Sequence, residues 1–166
     1  MQERLAPNLF ADLYYNLFSL GSLIPTVFVG LVSLFLFAVP RKSKATLWLA
    51  LAFLFMVLFY APYFPASSLT DSSMAFHRWF TVPFVLLAGL SFGQIALNFP
   101  ERTHPRLATG LMIVQLLIAI GMTAAFYYQT IDGERIFRFD GHYWDFAAEQ
   151  ISKQTGLVII GYIMTA

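Results

Sequence analysis

The sequence predicts an all-α transmembrane helical bundle. It has four full spans, a partial fifth, and a small extracytoplasmic β-hairpin between the fourth and fifth helices. Three observations carry this. First, 58% of the 166 residues are hydrophobic and only 11% are charged, where soluble domains carry about 25% charged residues. Second, charged residues cut the chain into the charge-free runs Leu13–Pro40, Ala45–Thr70, Trp79–Pro100, Leu107–Ile131 and Gln154–Ala166. The first four are long enough to cross a hydrocarbon core of ~30 Å, which takes roughly 20 helical residues. Third, the one patterned stretch between runs alternates polar and apolar residues with a period of two, as a strand does.

The first span is expected over about 14–39. Glu3, Arg4 and Asp12 precede it. A basic n-region and a small-residue cleavage site are missing there, so the first span is read as retained rather than as a signal peptide. Pro40 ends it, because proline disfavours the α conformation in the residue before it. Arg41, Lys42 and Lys44 form a tight turn, and Ser43 can cap the second span, about 45–63. The third span, about 79–99, stops at Pro100. Thr103 can cap the fourth span, about 107–129, and Pro105 suits its first turn. Short turns make antiparallel neighbours, so spans one and two should pair, as should three and four. Pro25 and Pro83 fall inside spans and are expected to kink them.

The fifth run holds 13 residues, about 20 Å as a helix. It is too short to span, so either the chain stops inside a fifth helix or its end dips into the bilayer. Ending at Ala166 would leave terminal carbonyls without partners at membrane depth, which favours the first reading. Between the fourth and fifth runs, segment 131–153 carries Glu134-Arg-Ile-Phe-Arg-Phe139, then Asp140-Gly141, then His142-Tyr-Trp-Asp-Phe146. Asp-Gly between alternating stretches signals a hairpin with a two-residue type I′ turn.

Lys and Arg set the orientation. The two tight turns hold five basic residues in ten positions, and the alternate segments hold five in 42. The denser turns are expected in the cytoplasm, with the N-terminus outside a bacterial inner membrane. Tyr14, Tyr15, Tyr60, Tyr63, Trp79, Tyr127 and Tyr128 then collect at the outer interface, where a ring with a polar tip is favoured.

Chemistry-bearing residues are sparse. His77, His104 and His142 lie outside the predicted spans, and the spans contain no Lys, Asp or Glu. A bis-histidine haem, a retinal-type Schiff base and a buried proton relay therefore lack their residues. No catalytic constellation, cofactor fingerprint or metal-ligand spacing is visible. Asp140, His142, Asp145 and Glu149 match no tight metal pattern and read as a solvated hairpin. Cys is absent and the net charge is +1, so neither a disulfide nor nucleic-acid binding is indicated. Expected partners are membrane lipids, with a homodimer or other membrane subunits possible.

Gly89 and Gly93 form a GxxxG that permits close helix contact, within the bundle or across a dimer. Gln94 and Asn98 share one face and suit interhelical bonding, with Gln115 as an expected partner, or a ligand's polar group. The hairpin places Phe137, Phe139, Tyr143, Trp144 and Phe146 outside the spans. So much apolar surface must cover the bundle, enter the lipid interface or meet a partner. The expectation is a lid, either with nothing beneath it or over a cavity between helices three to five, the latter with Arg138, His142 and Trp144 as ligand contacts and Pro83 as the hinge.

The stretch Gln94-Ile-Ala-Leu-Asn-Phe-Pro100-Glu-Arg102 resembles the helix end and basic turn of N-terminal seven-helix sensor regions. These precede histidine kinase, nucleotide cyclase or phosphatase domains in bacterial signalling proteins. The outer N-terminus, short inner turns and longer outer loop with Asp140-Gly141 are similar as well. The resemblance covers helices one to four and half of five. It implies an input module that couples an external or membrane-borne signal to a cytoplasmic effector, and it transfers no functional residue. The alternative is a structural or accessory subunit of a larger membrane complex, binding lipid or pigment and partner helices.

Overall fold

The computed structural model describes residues 16–69, 71–99 and 104–165. Tyr14, Tyr15, the Pro100 stop and the Thr103 cap lie outside the described residues. The chain runs α1 (Leu17–Ala38), α2 (Lys44–Tyr60), the short α3 (Tyr63–Ser68), a 3-10 turn (Ser72–Phe76), α4 (His77–Asn98) and α5 (Pro105–Thr130). Strands β1 (Arg135–Arg138) and β2 (Tyr143–Phe146) follow, then α6 (Glu149–Met164). Among the described residues, four helical stretches are long and apolar enough to cross a membrane: Leu17–Ala38, Lys44–Ser68, Ser72–Asn98 and Pro105–Thr130.

Local chemistry explains the helix ends. Val39 is extended ahead of Pro40, and Lys42 Nζ donates to the Phe37 carbonyl at 2.8 Å. Ser43 Oγ accepts the Thr46 N–H at 3.0 Å and so caps α2. Pro105 opens α5, with His104 in the cap position. At the far end of α1, Asn16 and Ser19 form a capping box, and Asn16 Nδ2 reaches across to the Ser67 carbonyl at 2.7 Å.

Burial in α1 is inverted relative to a soluble amphipathic helix. Its buried residues are Ser19, Ser22 and Ser33, while Phe28, Leu31, Leu34 and Phe35 are exposed. The buried residues of α2 are Ala45, Ala50 and Ala52. Small residues inside and large apolar ones outside suit a helix with lipid around it, because close packing rather than the hydrophobic effect then joins helices. Ser33 Oγ donates to the Ala50 carbonyl at 3.0 Å and fixes α1 on α2.

The centre of the bundle is α4, with eleven of its 22 residues buried. Helices α2, α5 and α6 all pack on it. The pairings of α1 with α2 and of α4 with α5 follow from the short turns, whereas the extensive contact of α2 with α4 joins the two pairs. Buried Val82, Leu86, Leu90, Ala119, Phe126, Phe146, Ile151 and Tyr162 belong to one apolar core.

The hairpin differs from its expected form in one respect. The register Arg138↔Tyr143 and Arg135↔Phe146 is the one an Asp140-Gly141 tip dictates. The loop between the strands nevertheless spans Phe139 to His142. His142 takes the positive φ of 54°, and no glycine does, so the turn is not a two-residue type I′. Helix α6 begins at Glu149, so Glu149–Lys153 is helical rather than part of the hairpin segment, and the helix has 16 residues.

Candidate functional site

At the hairpin end, the residues that pack the bundle also gather charge. Arg78 sits in the first turn of α4. Its Nη1 donates to Tyr63 Oη at 2.9 Å, its Nη2 donates to Ser152 Oγ at 3.1 Å, and its Nε stands 3.1 Å from Asp145 Oδ1. The Nε–H is too poorly aligned on the carboxylate to count as a hydrogen bond, so that contact is an ion pair by distance. The two side chains are only 14% and 12% exposed. One guanidinium thus ties together α3, α4, β2 and α6.

Asp145 is held from its own side as well. Its Oδ1 accepts the Phe146 N–H at 2.8 Å, and Arg138 Nε lies 3.9 Å from Oδ2. Arg138 Nη1 reaches Glu149 at 3.3 Å, and Lys153 lies 3.9 Å from Glu149. Three cations therefore meet two carboxylates in these pairs, and Asp140 acts on Tyr143 from nearby. Asp145 and Glu149, half of the rejected metal set, are engaged with arginines.

Aromatic rings wall the junction. Tyr63 packs edge-on against His77 and Tyr143, at 4.7 and 5.4 Å between centroids. The Met74 carbonyl lies 2.8 Å from His77 Nδ1. A carbonyl can only accept, so Nδ1 carries a proton. Burial pushes the Tyr143 phenol up to about 12. Phe146 sits between Phe76 and Phe126.

Beneath Arg78 lies a cleft of about 160 Å³, where α2 and α6 both lean on α4 and leave space between them. Phe59, Arg78, Thr81, Ser152, Thr155 and Gly156 are among the residues lining it. Thr81 and Thr155 turn their hydroxyl protons to their own helices, at Arg78 O and Ile151 O. The Ser152 hydroxyl accepts from Arg78 and keeps its proton to donate.

The residues singled out from sequence fall into two places. Arg138, His142 and Trp144 are at the hairpin end. His142 stacks on Phe18 of α1 and meets Phe137 edge-on, and Trp144 packs on Phe137. Gln94 lies 16 residues further along α4 than Arg78, about 24 Å at helical rise, so Gln94 and Asn98 belong to a different region. Gln94 Nε2 donates to the Ala108 carbonyl at 3.2 Å, and Asn98 Nδ2 donates to Gln94 O at 2.7 Å. Gln115, the expected partner of Gln94, bonds toward α6 instead. Its Nε2 donates to Tyr162 O and Thr165 Oγ1, and Tyr162 Oη donates back to Gln115 O at 2.6 Å. That reciprocal pair locks α5 to α6.

Gly89 and Gly93 face α6. A Cβ on Gly89 would stand 3.0 Å from Ile159 Cγ2, and one on Gly93 would stand 2.6 Å from the Tyr162 carbonyl oxygen. Pro83 has no N–H, so the carbonyl four residues earlier, Trp79 O, loses its helical donor. Tyr127 Oη supplies one from α5 at 2.6 Å. Beside it an apolar groove of about 350 Å³ runs between α4 and α5, past Pro83, Leu87, Ala119 and Tyr127.

The hairpin sits over the outer ends of the helices, with Phe146 against Phe126 of α5. Strand β2 rests on α3 and the 3-10 turn, and its Asp145 and Phe146 are both buried although they point to opposite faces. Phe139 stays 84% exposed. Sequence reading missed Arg78, Tyr63 and Ser152 as a site. The available signals were an arginine adjoining an apolar run and an acid alternating with aromatic residues in a strand. Comparison with known protein families, curated proteins and solved structures gives no match to this chain.

Proposed function

We propose that this chain is an integral-membrane input module, of the kind that couples an external or membrane-borne signal to a cytoplasmic effector. The observation that carries the reading is the Arg78–Asp145 pair. Burying two charges is costly, and removing one partner leaves the other uncompensated, so the pair is a point on which a signal could act. Here it joins the hairpin to the central helix directly above a cleft. A signal that altered this pair would shift β2 and α6 against α4. The tight α4–α6 seam at Gly89 and Gly93 would carry the shift toward the opposite end. Basic density in the turns supports placing that end in the cytoplasm, with the hairpin outside an inner membrane.

The chain contains no cysteine, so two labels can be placed cleanly. Spin labels at Phe99 and Met164, both exposed, report the separation of the far ends of α4 and α6. Asp145→Asn should change that distance distribution in nanodiscs. An unchanged distribution would remove the coupling and with it this reading. A second reading is an accessory subunit that holds lipid or a partner helix. The apolar groove at Pro83 favours it, and it predicts no response at the far end.

A further inference from the structure

We infer that the cleft beneath Arg78 is a binding site for a small amphiphilic acid, with one carboxylate on a ring or short chain of about six carbons. The inference rests on the input-module reading and names the ligand class of that site. The guanidinium has five donors: two donate to Tyr63 and Ser152, and the Nε–H stands beside Asp145 in an ion pair without a hydrogen bond. Two are left, and the Ser152 hydroxyl adds a third. Next to the guanidinium the spare groups are these donors, which suit an acceptor-only carboxylate; further down, Thr81 and Thr155 present hydroxyl lone pairs. Around it Arg78, Arg138 and Lys153 face Asp145 and Glu149, so an incoming carboxylate would have a cation beside it. Below the guanidinium the walls turn apolar, with Phe59, Val82, Val85 and Ile159. The volume of about 160 Å³ is close to that of an apolar cavity known to take one benzene. A carboxylate at Arg78 would compete with Asp145 and so loosen the hairpin's hold on α4.

The test uses the full chain in phosphatidylcholine nanodiscs, titrated calorimetrically with benzoate and hexanoate. Both should bind saturably, and benzyl alcohol, the neutral counterpart of benzoate, at least tenfold more weakly. Gly156→Leu should abolish binding. Its new side chain enters open space, because a Cβ there meets nothing within 4 Å, and leucine is the better helix former. Circular dichroism verifies that this variant is folded. Oleate doped into the disc distinguishes two sources of the same chemistry: competition assigns the acid to the bilayer, and no competition assigns it to water. Absence of saturable binding, equal affinity for the alcohol, or unchanged binding by folded Gly156→Leu would overturn the inference. The spin-label distances separate the two ideas. A shift with Asp145→Asn but no benzoate binding removes only the ligand class. Benzoate binding with no shift removes the input role and leaves the site.

Discussion

Tyr127→Phe isolates the bond that accommodates a proline inside the central helix. The change removes one hydroxyl and keeps the ring, which packs 5.0 Å from the Trp79 indole. The lost bond is the 2.6 Å contact from Tyr127 Oη to Trp79 O. Pro83 cannot donate to that carbonyl, so the substitution strips it of the donor that replaces its helical one. An interhelical hydrogen bond in a membrane protein averages about 0.6 kcal/mol and reaches about 1.7. A buried acceptor left unpaired costs about 1–3 kcal/mol. The Trp79 carbonyl is only partly buried, so the expected loss lies within about 0.6–1.7 kcal/mol. Pro83→Ala supplies the check, since alanine restores the N–H four residues along. In that background Tyr127→Phe should cost at least about 0.5 kcal/mol less, a coupling that a double-mutant cycle resolves. Reversible unfolding in mixed micelles, followed by tryptophan fluorescence, measures all four proteins. Equal cost of Tyr127→Phe with and without Pro83 would refute the account.

Gly93→Ala should destabilise the bundle by more than Gly89→Ala in the same assay. The first drives a methyl into the Tyr162 backbone carbonyl, and the second meets only the movable end of Ile159. An overpacked contact costs about 1–3 kcal/mol, and equal effects would show that the α4–α6 seam is loose. Tyr143 gives a pH prediction. Burial raises its folded pKa from the ordinary phenol value of 10 to about 12, so its contribution is fully present below pH 10 and is lost as pH rises toward 12. The alkaline fall in unfolding midpoint over that window should be smaller in Tyr143→Phe, and identical profiles would count against burial of the phenol. For topology, a cysteine at Ser43 should resist a membrane-impermeant thiol reagent in intact cells and one at Gly141 should react; the reverse would invert the proposed orientation.

What the sequence by itself determined about this protein is everything that depends on neighbours along the chain. Runs without charge locate the four long apolar helices, because each charge in hydrocarbon is costly and each helix must satisfy its own backbone. Pro40, Ser43 and Pro105 set helix ends through φ restriction and capping, which act within a few residues. Strand alternation and Asp140-Gly141 set the register of the hairpin. The tertiary structure alone decided which faces meet. The pair Arg78–Asp145 spans 67 positions, and nothing local distinguishes Arg78 from an ordinary interfacial arginine. Tyr63, Trp79 and Tyr127 read as interface anchors, yet each hydrogen-bonds across elements. Helix periodicity also reads poorly in a chain whose inner and outer faces are both apolar. With lipid outside, exposure of Phe28 or Leu31 costs nothing, so hydrophobic pattern cannot show that α2 joins α4 or that Gly89 and Gly93 face α6. Those contacts follow from shape, from small residues that let backbones approach, and from single polar atoms whose partners appear only when the helices are brought together.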